Sequence, residues 1–284
     1  TGATGVQFTT FPALWTATSA ASFSTNPVAA TREYEVCFKC HSSFAFGATA
    51  PTPPGQGDSA TQQTDVAMEF NPNNRSMHPV VSPLGSAAGT LAPKALVAAQ
   101  LLAPWNVNVG TQTMTCTDCH NTDAASPAAQ GPHGSAIAFL LAGTNKAWPY
   151  TVAGTTGTTL RHISSSETGI GTANGLFCRN CHPQPNSTAS NGLHRFVGNS
   201  SRHTSGNNDY FACVSCHIRI PHGGKVSRLI RTANAPARYG VTAVSVGTPI
   251  ANFTKLAKDS YGQNAGWDSA GCNQHANVTT GEAW

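Results

Sequence analysis

Nine cysteines and eleven histidines are the residues with the widest chemical reach in this 284-residue chain. Eight of the cysteines fall into four copies of one pattern: Cys37-Phe-Lys-Cys40-His41, Cys116-Thr-Asp-Cys119-His120, Cys178-Arg-Asn-Cys181-His182 and Cys213-Val-Ser-Cys216-His217. Two thiols at this spacing can each add across one vinyl group of a porphyrin. The histidine that follows is then held beneath the ring, with an imidazole nitrogen at the iron. C-x-x-C-H is the attachment signature of c-type haem. A single C-x-x-C could be a redox dithiol or half of a zinc site. Four copies, each followed at once by His, argue against both: zinc ribbons do not need that histidine, and a redox dithiol would occur once. The pattern predicts four haem c groups, with the eight cysteines as thioether partners and His41, His120, His182 and His217 as proximal iron ligands.

Seven histidines remain, and four irons need no more than four of them as sixth ligands. His78 stands in MHPV, where the following proline confines its backbone to extended conformations. His133 in GPHGS and His222 in IPHGG each follow proline and precede glycine, a stiff-then-permissive setting that can aim a ring at an iron. These three are the expected distal ligands. His162, His194 and His203 compete for the last position, and His275 reads as a surface residue. His222 lies five positions after His217, a tether of at most about 17 Å. To close the other face of the same iron it would have to pass around the ring edge, so it is expected to serve a neighbouring one. The same reasoning applies to His133 and the Cys116–Cys119 motif. Cys272 is left over and reads as a buried thiol.

The elements that must hold these residues look sparse. Only 39% of the chain is hydrophobic and 10% charged, with 27 glycines and 18 prolines. So little core material suits a chain whose apolar bulk is supplied by cofactors. The expected fold is mostly irregular coil with a few short helices and minimal strand, wrapped around a haem chain as a single domain over residues 1–284. Short helices are expected at or after the motifs, at 91–102 and near 252–260, and strand-like segments at 5–12 and 240–246. Residues 51–64 and 183–209 read as loops. The motifs begin at 37, 116, 178 and 213, without a solenoid period, although C-x-x-C-H followed by PHG recurs at 116–134 and 213–223.

The net charge of +4, with no basic run, carries no nucleic-acid footprint. The longest apolar stretch, 91–105, is interrupted by Pro93 and Lys94, so no membrane span is expected. A start at Thr1 rather than Met is read as a mature secreted chain, with its signal peptide removed and an extracellular or cell-surface location. Asn-x-Ser/Thr sequons, Asn74 among them, carry little weight in so Asn- and Ser-rich a chain.

With four C-x-x-C-H motifs, MHPV and the paired C-x-x-C-H…PHG segments, the chain resembles secreted multihaem c-type cytochromes. CHIRIPHGGKVSRLI is similar to segments near the last haems of extracellular cytochromes from metal-respiring bacteria. Four haems on a loop-rich chain look most like the subunits of extracellular cytochrome nanowires. That resemblance implies a homopolymer in which one distal histidine comes from a neighbouring subunit, with redox proteins or external acceptors as further partners. The expected function is electron transfer through bis-histidine haems, not enzymatic turnover. A discrete tetrahaem carrier is the alternative, and a multihaem oxyanion reductase, which would need an open iron, ranks below it. For a polymer, the apolar arm at residues 6–15 or the C-terminal tail is the expected docking element.

Overall fold

A computed structural model describes residues 2–48, 65–85, 93, 95–146, 148, 177–183, 217–240, 253–257, 267–269 and 281–284. Most of these residues lie in turns and extended coil, with short helices and minimal strand. Three α-helices occur among the described residues: α1 (Glu33–Phe38), α2 (Ser43–Phe46) and α3 (Val66–Glu69). Strands β1 (Thr4–Gly5) and β2 (Val28–Ala29) pair antiparallel, as do β3 (Ser76–Met77) and β4 (Gly223–Gly224). Strands β5 (Phe253–Ala257), β6 (Trp267–Ser269) and β7 (Gly281–Glu282) form a small antiparallel sheet in the order β6-β5-β7.

Helix α1 forms because the Glu35 carboxylate reaches back to the backbone N–H groups of Thr31 (2.7 Å) and Arg32 (3.2 Å). That satisfies donors a helix start otherwise leaves open. Helix α1 ends inside the first motif, and α2 begins directly after it, with Ser42 accepting from the Phe44 N–H. Helix α3 is capped by Asp65, whose carboxylate accepts from Met68 N–H at 3.2 Å and from the Thr18 backbone and hydroxyl at 2.6 and 2.8 Å. Burial holds this carboxyl above its ordinary range despite those bonds.

The core gathers Val6, Phe23, Tyr34, Phe38, Ala67, Phe70, Val80 and Val81, flanked by Phe8, Phe44, Met114 and Cys116. It is small, and buried polar side chains are almost as numerous as apolar ones. Among them is Asn74, whose amide donates to the Met68 and Glu69 carbonyls at 2.8 and 2.9 Å. Its sequon is therefore enclosed. The other sequons lie outside the described residues.

Several local expectations are corrected. Residues 253–257 form a strand rather than a helix, because β5 finds partners on both sides in β6 and β7. Of the described residues within 91–102 only Ala98–Gln100 is helical, as a single 3-10 turn. Residues 5–12 are not a continuous strand: β1 stops at Gly5, and Phe8 makes one isolated bridge to Phe23. The arm at 6–15 is packed into its own chain. Val6 is fully buried, Phe8 packs on Phe23 and Phe38, and Trp15 lies against Tyr239 and Trp284. The end of the chain is held there too, Trp284 donating to the Ile230 carbonyl from its indole and to Thr232 from its backbone. The segment at 240–246 beyond Gly240 and the loops at 51–64 and 184–209 lie outside the described residues. No helix among the described residues is long and apolar enough to cross a membrane.

Candidate functional site

The first three motifs stand beside one another in sequence order. Glu33, in the first turn of α1, accepts from the backbone (2.9 Å) and hydroxyl (2.6 Å) of Thr117 within the second motif. This fastens the first motif to the second and leaves Cys37, Cys116 and the Glu33 carboxylate with ligand atoms within 4.8 Å of one another. The second motif meets the third where Cys119 and Asp118 act electrostatically on Cys181 and its neighbourhood. The third motif is held from the other side by residues 100–102, Leu102 N–H donating to the Cys181 carbonyl at 2.7 Å. His217 of the fourth motif lies close enough to His182 to repel its protonated form.

Each of the first three motif histidines faces a non-motif histidine. Ring centres are 6.0 Å apart for His41 and His133, 5.9 Å for His120 and His222, and 6.4 Å for His182 and His78. An imidazole nitrogen lies about 2.0–2.1 Å from a bound transition-metal ion and about 1.1 Å from its ring centre, so two imidazoles on opposite sides of one ion have centres roughly 6.2–6.4 Å apart. Ordinary aromatic contacts cover the same range, so separation alone decides nothing. What decides is the pairing rule: each pair joins one C-x-x-C-H histidine to one of the three histidines in MHPV and PHG settings.

Hydrogen bonding turns the rings to suit. Nδ1 of His120, His182 and His217 meets the carbonyls of Phe139 (2.9 Å), Gln100 (3.3 Å) and Arg228 (2.8 Å). His78 meets the Pro221 carbonyl, and His222 the Glu69 carboxylate at 2.6 Å. An Nδ1–H committed in this way leaves Nε2 as the lone-pair donor, the arrangement of a metal-binding imidazole. Burial pushes His78 and His120 down to about 4, helped by repulsion from His182 and His222 respectively, and it lowers His41 and His182 as well. Neutral imidazole is the ligating form.

The β3–β4 ladder positions two of the facing histidines at once. Ser76 pairs with Gly224 and Met77 with Gly223, and His78 N–H then donates to the His222 carbonyl at 2.9 Å. From this junction His78 turns to the third motif and His222 to the second. Glycine is required at 223, since a Cβ there would lie 1.8 Å from the Glu69 carbonyl oxygen. His222 thus faces a histidine other than His217, and His133 likewise faces the motif before its own.

Sequence reasoning missed the residues that anchor the motif histidines. In both C-x-x-C-H…PHG segments, the residue six positions after the PHG histidine supplies the anchoring carbonyl: Phe139 for His120 and Arg228 for His217. Phe139 and Leu140, and likewise Arg228 and Leu229, adopt left-handed φ near 60°. His120 then bridges Leu141, and His217 bridges Ile230. The recurrence of PHG after C-x-x-C-H was visible, but not its purpose. Glu69 was also missed, although an acid within the apolar run AMEF is a signal of its own.

The donor set fits an iron porphyrin at each of the three pairs. Burial pushes the Cys119 thiol up to about 12 and the Cys181 thiol up to about 11. Cys37 and Cys116 share a hydrogen bond that lowers the first and raises the second. Cys213, Cys216, His162, His194, His203, Cys272 and His275 lie outside the described residues. Comparison of the chain with protein-family models, curated proteins and solved structures finds no match.

Proposed function

We propose that the chain is a tetrahaem c-type cytochrome that passes electrons, and that it acts as the repeating subunit of an extracellular conductive filament. The observation that carries the electron-transfer reading is the set of three histidine pairs, each uniting a C-x-x-C-H histidine with one from MHPV or PHG. Haem, when bound, supplies a one-electron ferric/ferrous couple. The chain's part is to hold it. The paired thiols of each motif would hold it covalently, by addition to its two vinyl groups with no oxidant consumed. His41 with His133, His120 with His222 and His182 with His78 would hold the iron at the first three motifs from two sides, leaving no position there for a substrate. The ordered succession of the motifs brings neighbouring centres close.

The filament reading rests on the family resemblance and on the fourth motif. His217 is anchored like His120, and its expected partner is one of His162, His194 and His203 or, as the resemblance implies, a histidine from a neighbouring subunit. The 6–15 arm and Trp284 pack within the chain, while Phe11 on the arm is exposed. A discrete carrier uses the same ligands and differs only in assembly.

The closeness of Glu33, Cys37 and Cys116 favours a second reading, a carboxylate–thiolate site for a soft divalent ion. Intact mass, pyridine haemochrome and metal content of the purified protein separate the two. Four covalent haems and four irons per chain are expected; a chain of unmodified mass holding zinc would overturn the cytochrome reading. Negative-stain microscopy then distinguishes filament from carrier. A carbon monoxide difference spectrum of the reduced protein should be silent, and a five-coordinate iron would reopen the enzyme reading.

A further inference from the structure

Glu69 is the buried acid of the site, with a side chain fully shielded from solvent. Its Oε2 accepts from His222 Nδ1 at 2.6 Å, while Oε1 accepts from Arg238 at 2.7 Å and from the Tyr239 hydroxyl at 2.5 Å. Three independent devices hold it there: its place at the end of α3, the Asn74 amide on its own carbonyl, and the close approach of Gly223 to that carbonyl. His78, His120, His182 and His217 instead direct Nδ1 to backbone carbonyls.

We propose that Glu69 is a positioning and tuning residue that lowers the reduction potential of the iron site between His120 and His222. A carboxylate on Nδ1–H draws the proton toward itself and gives the imidazole partial anionic character, raising its basicity as a ligand. Stronger donation and nearby negative charge both favour the ferric over the ferrous state. Arg238 and Tyr239 share the charge on Oε1 and so set how much of it reaches His222. Relative to the backbone-anchored His182–His78 pair, an electron would then climb at this site.

This inference rests on the proposed cytochrome reading. Its test is a spectroelectrochemical titration of the purified holoprotein, with haem content measured in parallel. Glu69→Gln keeps the shape but removes the charge, and should move one couple positive by about tenfold or more in its equilibrium constant, about 59 mV for one electron. Tyr239→Phe keeps the ring on Trp284 but leaves the carboxylate less shared, and should move the same couple negative by a smaller amount. Opposite shifts of one couple are the expected result, which a merely structural role would not produce. Unmoved couples, or both variants shifting the same way, would overturn the assignment of Glu69 while leaving the cytochrome reading intact. Absence of covalent haem would overturn that reading instead. If Glu69→Gln yields no folded holoprotein, the sign of the Tyr239→Phe shift decides alone.

Discussion

On the proposed haem reading, what suits a histidine to be a ligand is what holds its other nitrogen. His78 and His222 sit on adjacent turns of backbone, yet one is anchored by the Pro221 carbonyl and the other by the Glu69 carboxylate. His133 faces His41 with ring planes 31° apart, whereas His120 and His222 are inclined at 68°. The angle between axial rings changes the splitting of the iron d orbitals, so the pairs should give distinguishable low-spin ferric signals. Replacing His133→Met tests the first pair directly. A Met/His iron is harder to oxidise than a bis-His one, so one couple of four should rise by on the order of 0.1 V or more, within the roughly 0.8 V that axial ligands command. Redox titration checks it; movement of several couples together would mean that His133 supports the fold rather than one iron.

Elements in this chain are short because their work is to aim carbonyls and rings. Phe139 is an example: its left-handed backbone costs roughly 1 kcal/mol or more, and its side chain is 46% exposed. Phe139→Gly should therefore stabilise the protein by about 0.5–1 kcal/mol with the His120 anchor kept, as read by urea unfolding. Asp65 works in the opposite sense. Asp65→Ala removes the α3 cap and strands the Thr18 N–H, with an expected loss of about 2–3 kcal/mol. Its pH dependence follows from the raised carboxyl. Burial makes the folded state bind this proton more tightly than the unfolded state, so the folded protein is favoured below the ordinary aspartate value. That advantage is lost as pH rises through the folded-state value. Relative to Asp65→Ala, stability of the natural chain should decline across that window; a rise would contradict burial as the dominant cause.

At the scale of the whole molecule, apolar packing ties the N-terminal arm, α1, α3 and the chain end around one side of the motifs. Trp15, Tyr239 and Trp284 form one aromatic cluster, with Tyr239 and Trp284 stacked at 5.0 Å. Deleting residues 1–15 should therefore destabilise the single protomer, because fully buried Val6 contributes about 1.5–3 kcal/mol and partly buried Phe8 adds to it. Thermal unfolding of the unassembled holoprotein measures this. Unchanged stability with lost assembly would return the arm to a docking role.

The proposed attachment chemistry is argued from sequence alone because it is local: two thiols and a histidine act together only at C-x-x-C-H spacing. The coil-dominated character was legible as well, from a chain poor in core residues and rich in glycine and proline. The choice of His78, His133 and His222 followed from their flanking prolines and glycines, which restrict the backbone wherever it lies. The 253–257 segment misled, since its strand exists through partners drawn from 267–269 and 281–282. Tertiary structure alone decided which histidine faces which, because the β3–β4 ladder joins residues almost 150 positions apart and turns His78 and His222 to different motifs. It alone decided that a buried carboxylate, Glu69, backs one of them. Short-range bonding writes its requirements into neighbouring residues, whereas pairing across the molecule depends on packing that no stretch of sequence states by itself.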